Sequence, residues 1–149
     1  MSDAGIALPG HAYVPGVSPR HDDDAFAALR HTAHSNMSVQ ELASSEAFRA
    51  GLHFFHMGYY WEAHEVLEPV WLATPAASAE RHVVQALIQL ANARLKVEMG
   101  RRRAVIRLCD MVSAHLAEAG RTGRAQIMGV SLVELKRICD DIRFEINVL

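Results

Sequence analysis

Little in this sequence speaks for covalent cross-linking, membrane insertion or attachment to a polyanion. Cysteine is scarce, with two in 149 residues. Cys109 and Cys139 match no CxxC spacing, which argues against a zinc ribbon or a thioredoxin-type centre and for reduced, partly buried thiols. No uninterrupted apolar run approaches the ~20 residues that a membrane helix needs, so no membrane partner is expected. The start Met1-Ser2-Asp3-Ala4-Gly5 carries an acid and no apolar run, so a secretory signal is not expected and a cytoplasmic location is. An excess of one charge is also missing. The 15 basic and 17 acidic residues leave a formal charge of −2, and nothing in that balance favours a nucleic-acid partner.

What is present fits one globular unit. Half the residues are apolar and 21% are charged, the balance of a chain that buries a core. At this length roughly two-thirds of the extended surface becomes buried, so a single domain is expected. Proline is concentrated at the start: Pro9, Pro15 and Pro19, three of the five, lie in residues 1–24 with Gly10 and Gly16. Each fixes its own φ and pushes its predecessor toward extended geometry, so residues 1–24 read as an extended arm. Residues 25–149 read as the helical domain.

Asp22-Asp23-Asp24 offers a cap and first-turn negative charge for a short helix from Ala25 to His31. Ser44 or Ser45 caps the next helix, Glu46 to Met57, where Phe48, Leu52 and Phe55 recur at helical spacing before Gly58. A hairpin partner then runs from Tyr59 to Ala73. It has Ala63, Val66, Leu67 and Val70 on one side and Glu62, Glu65 and Glu68 on the other. Pro69 removes the hydrogen bond to the Glu65 carbonyl, so a kink or a one-turn break is expected there. Ser78 opens a long helix to Met99. On it Gln85, Gln89, Asn92 and Lys96 fall on one line while apolar residues occupy most of the rest, the pattern of a central helix. Helices from Arg101 to Ala119 and from Ser131 to about Val148 follow, joined by a loop at Gly120-Arg121-Thr122-Gly123. The fold class is all-α, a compact array of about five helices.

The string Phe55-His56-Met57-Gly58-Tyr59-Tyr60-Trp61-Glu62-Ala63-His64-Glu65-Val66-Leu67-Glu68 with Trp71, followed by Gln85-Ala86-Leu87-Ile88-Gln89-Leu90-Ala91, resembles domain-of-unknown-function family 309 over residues 48 to 118. That resemblance implies a small all-α protein and brings the label of metal-dependent hydrolase. Three positions depart from the family pattern: His56 stands where Asn is usual, Pro69 where an acid is usual, and Lys96 where an aromatic or His often appears. The proline arm is similar to an extension found in some members.

His64 and Glu68 are four apart, and Glu62, Glu65 and Glu68 are spaced by three, so these groups can converge from one helix on a divalent ion. The plainer reading is a solvated acidic face with His64 bonded to a neighbour. Gln85, Gln89 and Asn92 shift the balance. Buried without partners each would cost on the order of 1–3 kcal/mol, and the hairpin acids are the obvious counterpart. Amides are poor zinc ligands, so these would instead orient water or substrate. The expectation is a metal-dependent hydrolase of an unknown small-molecule substrate. Glu62, His64, Glu65 and Glu68 would hold the ion, a free carboxylate would act as general base, and Gln89 would position the reactants.

The competing expectation is a non-enzymatic module for a protein partner. Gly58-Tyr59-Tyr60-Trp61-Glu62-Ala63 resembles the rhythm of a tetratricopeptide helix pair, although one such unit is fewer than a solenoid needs. An open concave pocket at Glu62, His64 and Glu65 would favour the enzyme; capping of those side chains by others would favour the scaffold. Several further features have two readings each. Lys96 is a counter-ion in the polar network or a snorkelling lysine. His31 with His34, and His53 with His56, read better as surface or core-edge histidines than as ligands. Arg101-Arg102-Arg103 is an anion contact or a solvated turn. Tyr60, Trp61 and Trp71 line a pocket or pack the hairpin. A symmetric homodimer is compatible with so apolar a small helical chain, but no interface is written in the sequence.

Overall fold

Serine hydroxyls set four of the helix starts, with Ser131 accepting from Glu134 N–H at the head of the last helix. Ser38 opens α2 (Val39–Ser44) in a reciprocal capping box with Glu41, Ser45 accepts from the Phe48 N–H at the head of α3 (Glu46–His56), and Ser78 accepts from Arg81 N–H at the head of α5 (Ala79–Glu98). Each hydroxyl satisfies an N–H that the first turn leaves without an intrahelical partner. Between α3 and α4 (Tyr60–Ala73), Gly58 takes φ 88°, a left-handed conformation that lets the chain reverse within three residues. α6 (Arg102–Gly120) and α7 (Leu132–Val148) complete the array, with one turn of helix, α1 (Ala27–Arg30), ahead of α2. The computed structural model describes residues 5–148; the first four residues of the expected arm and residue 149 of the expected domain lie outside them.

The all-α expectation holds, and α5 is central. It packs on α4 along one side and α6 along the other, α3 covers α4, and α7 touches both α5 and α6. Val83, Val84, Ala86, Leu87, Leu90, Ala91 and Ala93 of α5 are buried in one continuous core with Phe48 and Phe54 of α3, Val66 and Leu67 of α4, Val112 of α6 and Ile142 of α7. The positions that alternate at helical spacing in the sequence are the ones that supply this core.

Three local expectations need correction and a fourth is narrowed. Asp22-Asp23-Asp24 does not cap a helix. Those residues form successive tight turns, with Ala25 N–H bonded to Asp22 O and Ala27 N–H to Asp24 O, and α1 starts after Phe26 with no acid in its first turn. α2 is an additional helix. The loop after α6 contains a two-residue ladder, β1 (Gln126–Ile127) paired antiparallel with β2 (Val130–Ser131), reversed through Met128 and Gly129, both at positive φ as a two-residue hairpin turn requires.

The fourth concerns Pro69: of the two alternatives, a kink or a one-turn break, the break is absent, and α4 continues through the proline. The carbonyl it strands, that of Glu65, receives a hydrogen bond from Arg30 Nη1 at the end of α1. The same guanidinium reaches the Glu68 carboxylate at 3.4 Å and the Glu65 carboxylate at 3.6 Å. A donor from another element thus replaces the one that proline lacks. Arg30→Met is expected to lower stability by about 1–2 kcal/mol, because the ion pairs are partly exposed and the lost carbonyl partner is most of the effect. Chemical unfolding with an unchanged m-value checks it; an unaltered midpoint would remove Arg30 from the account of α4.

Candidate functional site

The arm is folded back on itself before it reaches the domain. Val17 and Ser18 N–H both bond Val14 O, Ser18 Oγ donates to Ala12 O and accepts from Val14 N–H, and the His11 ring bonds Pro19 O at 2.7 Å. This loop stacks the His11 and His21 rings with centroids 4.4 Å apart. It also points two donors, the Tyr13 N–H and His21 Nε2–H, at one side chain of α4.

That side chain is Glu62, which is fully buried. Its Oε2 accepts from Tyr13 N–H at 2.7 Å and from His21 Nε2 at 2.6 Å, while Oε1 is buried with no hydrogen-bond partner among the described residues. A buried carboxylate needs such partners, since desolvation without them costs several kcal/mol. Aromatic rings close the surroundings. Trp61 meets Tyr13 edge-on at 5.2 Å, and Phe26 meets both His21 at 5.0 Å and Phe54 at 6.2 Å. From the far end of α5, the Glu98 carboxyl is raised above its ordinary value, by burial first and by the charge of Glu62 second.

Beside this pair lies a polar cavity of about 310 Å³ between the arm, α1 and α4. His21 and Trp61 form its inner wall, Arg20, Arg30 and His31 supply basic groups, and Asp22, Asp23 and Glu65 supply acids. Its size and mixture of charges suit a small polar molecule.

The other expected site residues do not gather around Glu62. His64 turns along its own helix, with Nδ1 3.3 Å from Trp61 O and Nε2 3.8 Å from the Glu68 carboxylate. Glu65 and Glu68 face Arg30. Gln89 is buried, but its Oε1 accepts from Asn92 Nδ2 at 3.0 Å, so these two amides pair along α5. The meeting of amide ridge and acidic hairpin is therefore corrected: among the described residues no hydrogen bond joins Gln85, Gln89 or Asn92 to Glu62, Glu65 or Glu68, and the partners of the acids come from the arm and α1. Lys96 likewise makes no ion pair with these acids. Arg102 bonds Ile146 O and Asn147 in α7 and is thereby taken up in helix packing. Trp71 lies under the Arg81 guanidinium at 5.0 Å.

The donor set does not fit a metal centre as arranged. Among the described residues no three His, Cys, Asp or Glu side chains are grouped to hold an ion. The residues that sequence reasoning missed are Tyr13, His21 and Arg30. Tyr13 acts through its backbone, which carries no sequence signal, and the two side chains reach α4 from far upstream in the chain.

Comparison with known proteins places residues 48–108 in a family described as a domain of unknown function, DUF309. Neither the curated proteins nor the solved structures contain a match to the chain.

Proposed function

Starting from a chain whose residues 48–108 belong to the DUF309 family, we propose that it is a hydrolase of a small anionic substrate bound in the cavity between arm and hairpin. The observation that carries this reading is the buried Glu62–His21 pair, of which His21 lines the cavity and Glu62 lies behind it. With Nε2–H committed to Glu62, the neutral imidazole has Nδ1 left to accept a proton. Glu62 fixes the ring and its tautomer and offsets the positive charge that develops as the ring takes a proton from water. The attacking oxygen then adds to a carbonyl or phosphoryl centre, and the ring returns the proton to the leaving group. Arg20 and Arg30, on the same cavity, would neutralise the substrate anion and the charge that builds in the transition state. The version in which Glu62, His64, Glu65 and Glu68 share a divalent ion gains no support from this donor arrangement, so no step runs through a metal.

One observation favours the second reading. Glu62 is capped by the arm, as expected of a scaffold whose acid latches an extension in place. A hydrolysis screen separates the two. The full chain is offered p-nitrophenyl phosphate, bis(p-nitrophenyl) phosphate and the p-nitrophenyl monoester of succinate, with and without added divalent ions. Turnover is expected, with kcat lowered in His21→Ala by about 10²- to 10⁴-fold while the helical circular dichroism is unchanged. No turnover by the parent chain, or full turnover by His21→Ala, leaves the latch as the remaining account.

A further inference from the structure

Away from the arm, the packing of α6 on α7 brings the two cysteines together. Cys109 and Cys139 are both free and buried. The Cys139 thiol donates to the Cys109 carbonyl at 3.6 Å, which sets the two residues side by side across α6 and α7. With one sulfur resting on the other cysteine's backbone, a small shift of α6 against α7 would bring the two sulfurs to bonding distance. Arg143 joins them. Its Nη1 donates to Cys139 Sγ at 3.4 Å and to Ser113 Oγ at 3.1 Å, and its Nη2 to Asp110 Oδ1 at 2.9 Å. Cys139, and not Cys109, forms part of the wall of a second cavity of about 310 Å³, which is mostly apolar through Leu116, Ala117, Leu132 and Val133, with Ser113 and Lys136 also lining it.

A guanidinium on one sulfur, a second thiol behind it and an apolar cavity in front are an unequal arrangement of two chemically identical groups. We propose that Cys109 and Cys139 are a peroxide-oxidisable dithiol, with Cys139 attacking and Cys109 resolving, whose oxidant is a hydroperoxide bearing a small apolar group. The Cys139 thiolate attacks the terminal oxygen, the O–O bond breaks, an S–O bond forms, and the alcohol leaves with the thiol's proton. The Cys109 sulfur then attacks Cys139, the S–O bond breaks and water leaves with the second proton. Two thiols lose two electrons and two protons, and one hydroperoxide becomes one alcohol and one water.

The electrostatics support the assignment of roles. The hydrogen bond from Cys109, together with Arg143 and Ser113, lowers the Cys139 thiol to about 7 against burial and the charge of Asp140. The thiol of Cys109 is raised, by that same hydrogen bond and then by burial. Asp110 from α6 and Lys136 from α7 are the other charged groups near the pair.

The test treats the full reduced chain with cumene hydroperoxide or hydrogen peroxide, followed by thiol titration in denaturant, intact mass and non-reducing peptide mapping. Both thiols should disappear together, with loss of two hydrogens and a reducible 109–139 link, at a rate that rises through pH about 7. Cumene hydroperoxide should react about tenfold faster than hydrogen peroxide if the apolar cavity receives it. Cys109→Ser should stop at a sulfenic acid on Cys139 that dimedone traps, and Cys139→Ser should fall to the uncatalysed rate. Arg143→Gln should slow oxidation by about threefold to tenfold. Should the serine variants fail to fold, the parent chain still decides: thiols that survive cumene hydroperoxide overturn the dithiol, modification of Cys109 ahead of Cys139 overturns the roles, and equal rates with the two peroxides overturn the use of the cavity.

Discussion

Glu62→Ala should loosen the arm from the domain and lower stability by about 3–5 kcal/mol, because two buried donors each lose a charged acceptor. The substitution leaves Tyr13 N–H and His21 Nε2–H facing an apolar hole where a fully buried carboxylate had accepted both. For a chain of this size the fall in Tm is about 10 °C or more. Trypsin provides an independent readout, since cleavage after Arg20 should accelerate once the loop is no longer anchored on α4. Glu62→Gln separates geometry from charge. It keeps one acceptor oxygen for the arm and places its amide where Oε1 has no partner among the described residues, so it should cost less than the alanine change while still depriving His21 of its anion. A Glu62→Ala chain that melts like the parent and keeps Arg20 protected would show that the arm is held by its aromatic contacts instead.

Gly51→Val tests the hairpin itself. A Cβ built on Gly51 would lie 2.4 Å from Leu67 Cδ2 and 2.5 Å from its Cγ, so α3 and α4 approach at a point with no room for even a methyl group. Leu67 cannot step aside, because it is buried in the core with Val66 and Val70. Alanine there should cost about 1–3 kcal/mol and valine more, by forcing the two helices apart. Denaturant titration of both variants checks the order. If Gly51→Val matched the parent in midpoint, the close approach of α3 and α4 would be wrong. Because Glu62 lies on the same stretch of α4, valine should also weaken the hold on the arm.

Most of the helical array was legible because its signals are local. Ser45 and Ser78 mark starts with a hydroxyl, Gly58 marks an end, and the apolar spacing of α5 betrays a helix enclosed on several sides. Two elements escaped for physical reasons. α2 carries a capping box at Ser38 and Glu41, yet its six residues are too few for periodicity to stand out. The β1–β2 turn uses Met128-Gly129 in place of the Asn-Gly pair that usually announces such a reversal. The site was half legible. Acids on α4 were visible, and Glu62 is indeed withdrawn from water, but spacing along one helix cannot say that His64 and Glu68 turn to another side or that two amides of α5 pair with each other. Pro69 left a kink or a break open for the same reason: a helix can run through proline when something distant serves the stranded carbonyl, and Arg30 is not a neighbour in sequence.

The family segment, residues 48–108, contains both Glu62 and Pro69 but none of Tyr13, His21 and Arg30, whose donors occupy the two acceptors so created. Cutting the chain at residue 48 would leave α4 with a bare carboxylate and an unserved carbonyl, each turned toward a surface that the missing part had covered. The smallest piece able to stand alone should therefore start well upstream of the recognisable domain, and a fragment begun at residue 48 is expected to be less stable than one that keeps Tyr13, His21 and Arg30.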